Sequence, residues 1–153
     1  MIVNKLRSIP SNICNRVHPN CIVCSLGNAK GLHLEFVSGD DGSISAKFSC
    51  DEAFEGYPGF LHGGVISSIL DGAMGHCIFA RGQAAVTVEM ATRFRHPVVI
   101  CQEASVSARI ERASRPLYLL EAQIVQTGQV KATATGKFLD QPQLLIQNRG
   151  PRG

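Results

Sequence analysis

The segment Leu61-His62-Gly63-Gly64-Val65-Ile66-Ser67-Ser68-Ile69-Leu70-Asp71-Gly72-Ala73-Met74 constrains this chain more than any other part of it. Two glycines stand where a helix would begin, and a carboxylate follows nine residues after His62. From Gly56 to Ala80 the only formal charge is Asp71. A helix with a broad solvated face would carry Lys, Glu or Arg, and this stretch carries none. An ionised Asp in such surroundings is costly unless it has partners or a task.

At 153 residues the chain reads as one main domain with its own core, with no need for covalent or metal staples. Its 44% hydrophobic and 18% charged residues are those of an ordinary globular protein. The net charge of +3 is small and scattered, which excludes a dedicated nucleic-acid surface but suits a small polyanionic substrate. Residues 1–12 hold Lys5 and Arg7 with no apolar run behind them, so no signal peptide is expected. No window of about 18 apolar residues argues for a membrane span. The expected location is cytoplasmic, with reduced thiols.

Of the six cysteines, Cys50, Cys77 and Cys101 sit alone in apolar or strand-like contexts and read as inert thiols. Cys14, His18, Cys21 and Cys24 have spacings that could supply four zinc ligands. Against that, no second Cys-x-x-Cys follows, and a dozen residues would have to form a very tight knuckle. The sequence alone favours a reduced lead-in, and no metal or cofactor is assigned.

Residues 31–37 alternate as a strand, with Leu32, Leu34 and Phe36 against His33 and Glu35. Asp40-Asp41-Gly42 signals a turn, and residues 43–48 alternate again to complete a hairpin. Residues 51–61, with Gly56, Pro58 and Gly59, read as an irregular loop delivering the chain to His62. A helix over 63–80 follows, stopped at Gly82, with Val65, Ile66, Ile69, Leu70, Ala73 and Cys77 forming its apolar stripe. Asp71 lies on the other side beside Ser67, Ser68, Gly72 and Gly75, where small residues allow close approach. Four alternating strands complete the pattern. In the first, Val86, Val88, Met90 and Phe94 oppose Thr87, Glu89, Ala91 and Arg93; the last two meet at a Thr127-Gly128 hairpin. The class is therefore α+β: an antiparallel sheet with one apolar face covered by one long helix. The divisions are a lead-in over 1–24, a domain over 25–140 and a frayed tail over 141–153.

A helix N-terminus presents unpaired N–H groups and a positive dipole end, both of which favour developing negative charge. With no side chains at Gly63 and Gly64, a carbonyl oxygen can approach those donors, one of which is worth roughly 3 kcal/mol in a transition state. Asp71 stands eight residues further along the helix, or roughly 12 Å by the helical rise. That is too far for Asp71 and the Gly63 amide of one helix to act on one carbonyl carbon. Either a substrate spans the gap, or two copies of the helix each supply one element. Pattern alone also allows a plain reading: a tight loop-to-helix turn and a hydrogen-bonded core carboxylate.

The element order resembles the hotdog fold, a sheet wrapped around one central helix. His62-Gly63-Gly64, then Asp71, then Val86-Thr87-Val88-Glu89-Met90 leading to Phe94-Arg95-His96-Pro97, is similar to acyl-CoA thioesterases of the phenylacetate-pathway type, within the 4-hydroxybenzoyl-CoA thioesterase superfamily. The likeness runs over about residues 21–139, and the lead-in Cys21-Ile22-Val23-Cys24 with Gly31-Leu32 resembles a subset of these proteins. The resemblance implies Asp71 as general base on water or as nucleophile, and Gly63 as the amide polarising the thioester carbonyl. It further implies Thr87 as the hydroxyl placing the water, with His62 shaping that end of the site. Gly64, Tyr57, Arg93 and Arg95 fall on the substrate-binding side. The implied partner is acyl-CoA, and the implied assembly is an obligate homodimer, pairing further into a homotetramer, in which Gly63 of one subunit faces Asp71 and Thr87 of the other. One departure stands out: relatives often carry a polar residue, frequently Asn, six positions before the His, and this chain has Gly56 followed by Tyr57.

Arg109, Arg112 and Arg115 are further candidates for coenzyme A phosphates, although such residues are more often a solvated strand face. His76 reads as a satisfied core histidine, and His33 and His96 as surface residues. Two competing functions remain at this point. An acyl-thioester hydratase would need a His and an acid converging on substrate, and the helix has no Asp-x4-His pattern. A non-catalytic acyl-CoA or acyl-carrier binding module draws its support from Gly56.

Overall fold

The computed structural model describes residues 7–9 and 11–146. Much of the predicted tail, from residue 147 on, lies outside the described residues. Seven strands form one antiparallel sheet: β1 (Arg7–Ser8), β2 (Val37–Ser38), β3 (Ile44–Phe48), β4 (Ala85–Phe94), β5 (Ala104–Ser114), β6 (Leu117–Gln126) and β7 (Gln129–Asp140). Their order across the sheet is β1-β2-β3-β5-β6-β7-β4. A short helix α1 (Ser11–Val17) precedes β2, and the long helix α2 (Gly63–Phe79) lies between β3 and β4. The chain leaves β3 in one half of the sheet and returns as β4 at the far edge. The connection must cross the sheet, and α2 is that crossing. This is the hotdog arrangement.

The crossing helix packs its apolar side onto the inward-facing alternate residues of the strands. Ile69, Leu70, Ala73, Met74 and Ile78 are completely buried, against Ile44, Val106, Ile124 and Ala132, which are equally inaccessible. Each such Leu or Ile contributes about 1.5–3 kcal/mol relative to exposure. Burial goes beyond the predicted stripe: Gly72, Met74, His76, Ile78 and Phe79 are buried as well, which is why the segment has so few polar residues. Gly136 on β7 permits the close approach, since a Cβ there would stand 2.8 Å from the Phe138 ring and 3.0 Å from the Met74 sulfur. The β6–β7 hairpin turns on Thr127 (φ 51°) and Gly128 (φ 73°), the paired left-handed conformations of a two-residue turn.

Three expectations need correcting. Residues 31–36 alternate in burial as expected, but only Val37 and Ser38 join the ladder. His33 takes φ 55°, which breaks the strand, and the N–H groups of Leu32 and Leu34 bond instead to the carbonyls of Ile22 and Val23. The loop over 51–61 contains a 3-10 turn, Glu52–Phe54, capped by the Asp51 carboxylate accepting from the Ala53 N–H at 2.9 Å. The lead-in is part of the core: β1 pairs with β2, and Ile9 and Val23 are buried. Beyond β7 the chain forms a 3-10 turn, Pro142–Leu145, and Arg16 of α1 donates to the Leu145 carbonyl. No described helix is long and apolar enough to cross a membrane.

Candidate active site at the start of the long helix

The loop before α2 is held from several sides. The His62 N–H donates to the Phe54 carbonyl, Leu61 to Val98, and Gly56 to Phe60. His62 then takes the extended backbone (φ −62°, ψ 137°) of an N-cap, and its ring Nδ1 accepts from the Gly64 N–H at 2.9 Å. Imidazole here does what Ser, Thr or Asp usually does at a helix start. Gly64 suits that fold-back, because a Cβ at 64 would lie 3.1 Å from Nδ1 and the imidazole would have to give way by a few tenths of an ångström. The two glycine amides therefore part company. Gly64 serves the cap, while the Gly63 N–H, first of the helix, has no acceptor among the described residues. A side chain at 63 would point toward the Phe94 ring, whose Cε1 lies 3.5 Å from that Cβ position.

Further along α2, Asp71 is half-buried, and its Oδ1 accepts from the Thr87 hydroxyl at 2.5 Å. Among the described residues the second carboxylate oxygen has no hydrogen-bond partner. Thr87 reaches Asp71 because of a break in β4. The β4–β7 register shifts between Thr87 and Glu89, so one residue is left over and the side-chain parity reverses there. Beyond the break Met90 packs on the core, the Thr92 hydroxyl meets Ser67, and Phe94 meets Gly63. The uniform alternation read from the sequence is thus corrected. Thr87 shares the helix side with Met90, Thr92 and Phe94, and Val86 and Val88 are left 40% and 54% exposed.

The substrate-side candidates scatter. Tyr57 is 84% exposed, and its hydroxyl makes no hydrogen bond among the described residues. Gly56 lies directly against His62, since a Cβ at 56 would stand 3.2 Å from the His62 Cα. A larger residue there needs the loop to shift. Arg93 and Arg95 line a groove of about 750 Å³ together with Ser107, Arg109, Gln123 and Thr133. By strand alternation this groove is on the face of the sheet turned away from α2. Neither Asp71 nor Gly63 is among its lining residues. Arg109 is paired with Glu121 and Glu111, and Arg115 with Asp140. His76 is the core histidine expected: 3% exposed, Nδ1 2.8 Å from the Gly72 carbonyl, stacked on Phe36. His33 and His96 are exposed.

The sequence model of the Thioesterase superfamily matches residues 58–133, which holds His62, Gly63, Asp71 and Thr87. The chain belongs to that superfamily. Bovine acyl-coenzyme A thioesterase THEM4 is 28% identical over 118 residues, covering 74% of this chain and 48% of that protein. This chain thus spans about half the length of that curated relative. Among solved structures, one thioesterase superfamily protein superposes with a TM-score of 0.77 at 24% identity, covering 92% of this chain and 69% of that one. The PaaI protein from the phenylacetic acid degradation operon of E. coli gives 0.69 at 19% identity, covering 84% and 96%. These structural likenesses establish the hotdog fold. Three features of this superfamily member were not read from its sequence: the His62 cap, the break in β4, and Phe94 under Gly63. A histidine immediately before a glycine pair was the available signal for the first.

Proposed function

We propose that this chain hydrolyses acyl-CoA thioesters at a site completed by a second copy of itself. The observation that carries the reading is the division of labour along α2. An unpartnered amide lies at one end, and a carboxylate with one oxygen held by Thr87 and the other free lies about 12 Å away. The name of the bovine relative supports the substrate class.

In the proposed reaction the thioester carbonyl oxygen sits at the Gly63 N–H of one copy, and a water sits against the free Asp71 oxygen, beside Thr87, of the other. Asp71 takes a proton as the water oxygen bonds to the carbonyl carbon. The tetrahedral oxyanion is stabilised by the Gly63 amide and the helix dipole. Its collapse breaks the C–S bond, and the proton held by Asp71 leaves with the thiol. Dimer formation has its own support in the edge strand β4. It is ten residues long, and Val86, Val88 and Phe94 are exposed beside its unpaired backbone, an arrangement that monomeric proteins avoid.

A binding module remains the second reading, since position 56 has no side chain with which to hold the attacking water. Thiol release by the purified chain across short, long and aromatic acyl-CoAs separates the two. Asp71→Asn should lower turnover by about 10²- to 10⁴-fold with the fold intact. Unchanged turnover in that variant, or tight acyl-CoA binding with no thiol release, defeats the assignment.

A further inference from the structure

The lead-in contains a cluster that the thioesterase reading does not use. His18, Cys21 and Cys24 bring one ligand atom each to within 4.8 Å of one another, and the Cys24 sulfur is 3.8 Å from His18 Nδ1. Ligands around a tetrahedral zinc lie about 3.6–3.8 Å apart, as follows from bond lengths of about 2.3 Å to sulfur and 2.0–2.1 Å to nitrogen. The three atoms thus need to draw in by at most about 1 Å. From this convergence we propose that His18, Cys21 and Cys24 bind a structural zinc ion, with Cys14 as fourth ligand.

The surroundings fit thiolate ligation. The Val23 N–H donates to the Cys21 sulfur across 3.4 Å. Such N–H donation to a ligating sulfur is the outer support that metal sites use to fix their ligands. The His18 ring is steadied edge-on by Phe79, with centroids 4.8 Å apart. Cys14 lies one turn earlier on the same segment, where the His18 N–H donates to its carbonyl at 2.7 Å. Cys14 and Cys24 border a cavity of about 520 Å³ together with His76 and Leu34. Thiolate and imidazole donors without carboxylates select zinc over magnesium or calcium.

The ion would act on the fold. Val23 sits between the two cysteines, is 5% exposed, and lies so close to α2 that a Cβ at Gly72 would be 2.7 Å from its Cγ1. A metal closing His18, Cys21 and Cys24 would clamp this loop onto the helix at the residue after Asp71.

The test uses the full chain, purified with thiols reduced and no chelator, and zinc content is measured per chain. Metal-free protein is then titrated with cobalt(II). One zinc per chain, a thiolate-to-cobalt charge-transfer band saturating at one equivalent, and displacement of cobalt by zinc are expected. Cys24→Ser should lose the band, and Cys101→Ser, an exposed thiol outside the cluster, should keep it. X-ray absorption of the zinc form should give three sulfurs and one nitrogen. Because the wild-type measurements need no variant, a Cys24→Ser protein that fails to fold leaves the test standing. Reduced wild-type protein that takes up neither metal, or a Cys21–Cys24 disulfide that forms in preference to metal binding, overturns the proposal.

Discussion

Replacing Gly63 with proline removes one hydrogen atom from the proposed site and little else. Residue 63 is the first of α2, where an N–H has no intrahelical acceptor and proline is well tolerated. The residue before it must be extended, and His62 already is, at ψ 137°. The Cβ position at 63 is in ordinary contact with Phe94 at 3.5 Å, and the Gly64-to-His62 cap does not involve the lost hydrogen. The variant should therefore fold with stability unchanged or raised by up to about 1 kcal/mol, because the unfolded chain loses freedom. Catalysis should suffer by one oxyanion donor, about 3 kcal/mol or a 10²- to 10³-fold fall in kcat, measured as thiol release. Mixing then tests the sharing of sites. A heterodimer of Gly63→Pro and Asp71→Asn chains pairs the intact Gly63 of one with the intact Asp71 of the other, so one of its two sites is whole. Random reassortment of equal amounts should restore about a quarter of wild-type activity, given a two-fold symmetric dimer. A folded Gly63→Pro enzyme with wild-type kcat refutes the amide's role, and mixtures as inactive as their parents refute the shared site.

Three further outcomes follow from the same geometry. Thr87→Val deletes a hydrogen bond to a carboxylate that is only half-buried, so kcat should fall by about tenfold, near 1.5 kcal/mol, while the melting curve is unchanged; an undiminished rate shows that the contact is idle. Val88→Lys places a charge on the exposed edge of β4 and should give monomers by sedimentation together with loss of thiol release; an active monomer contradicts the dimer. His76 is held neutral, since burial pulls its pKa from 6.5 to about 4 against the stabilising Gly72 carbonyl. The unfolded chain takes up a proton between those values that the fold refuses, so stability should fall by up to about 3 kcal/mol as pH drops through that window, and denaturant melts of His76→Phe should lack this dependence.

The parts of the fold legible in the sequence were those that repeat. The helix was read within a residue of its observed ends because its charge-free run, glycine start and Gly82 stop agree with one another. The hairpin at Thr127-Gly128 followed from turn chemistry, and Gly63 and Asp71 followed from an unusual pairing of residue types. Residues 31–36 misled because their side chains alternate like a strand while one backbone angle, at His33, removes them from the ladder. Alternation reports which faces are buried and says nothing of which backbone groups pair. The lead-in misled for a different reason. Short irregular segments have no period, so the burial of Val23 on Gly72 leaves no pattern to read.

The break in β4 shows why a site can be harder to read than the fold that carries it. Strand side chains alternate with a period of two, so a single extra residue moves everything beyond it to the other face. An unbroken β4 could place either Thr87 or the set Met90, Thr92 and Phe94 toward α2, but not both. The observed strand does both, with Thr87 on Asp71 and Phe94 beneath Gly63. Those contacts lie at the two chemically distinct places on the helix, the carboxylate and the free amide. The register shift between them therefore lets one edge strand support both halves of the proposed chemistry. The residues displaced by it, Val86 and Val88, are turned toward solvent on the edge that a second copy of the chain would cover. Deleting Val88 removes the left-over residue and joins Thr87 directly to Glu89, so Thr87 should still face Asp71 while Met90 to Phe94 keep their places. Turnover of the folded deletion variant should then stay well above that of Thr87→Val. A deletion variant that folds and yet loses turnover as far as Thr87→Val would refute this account of the strand.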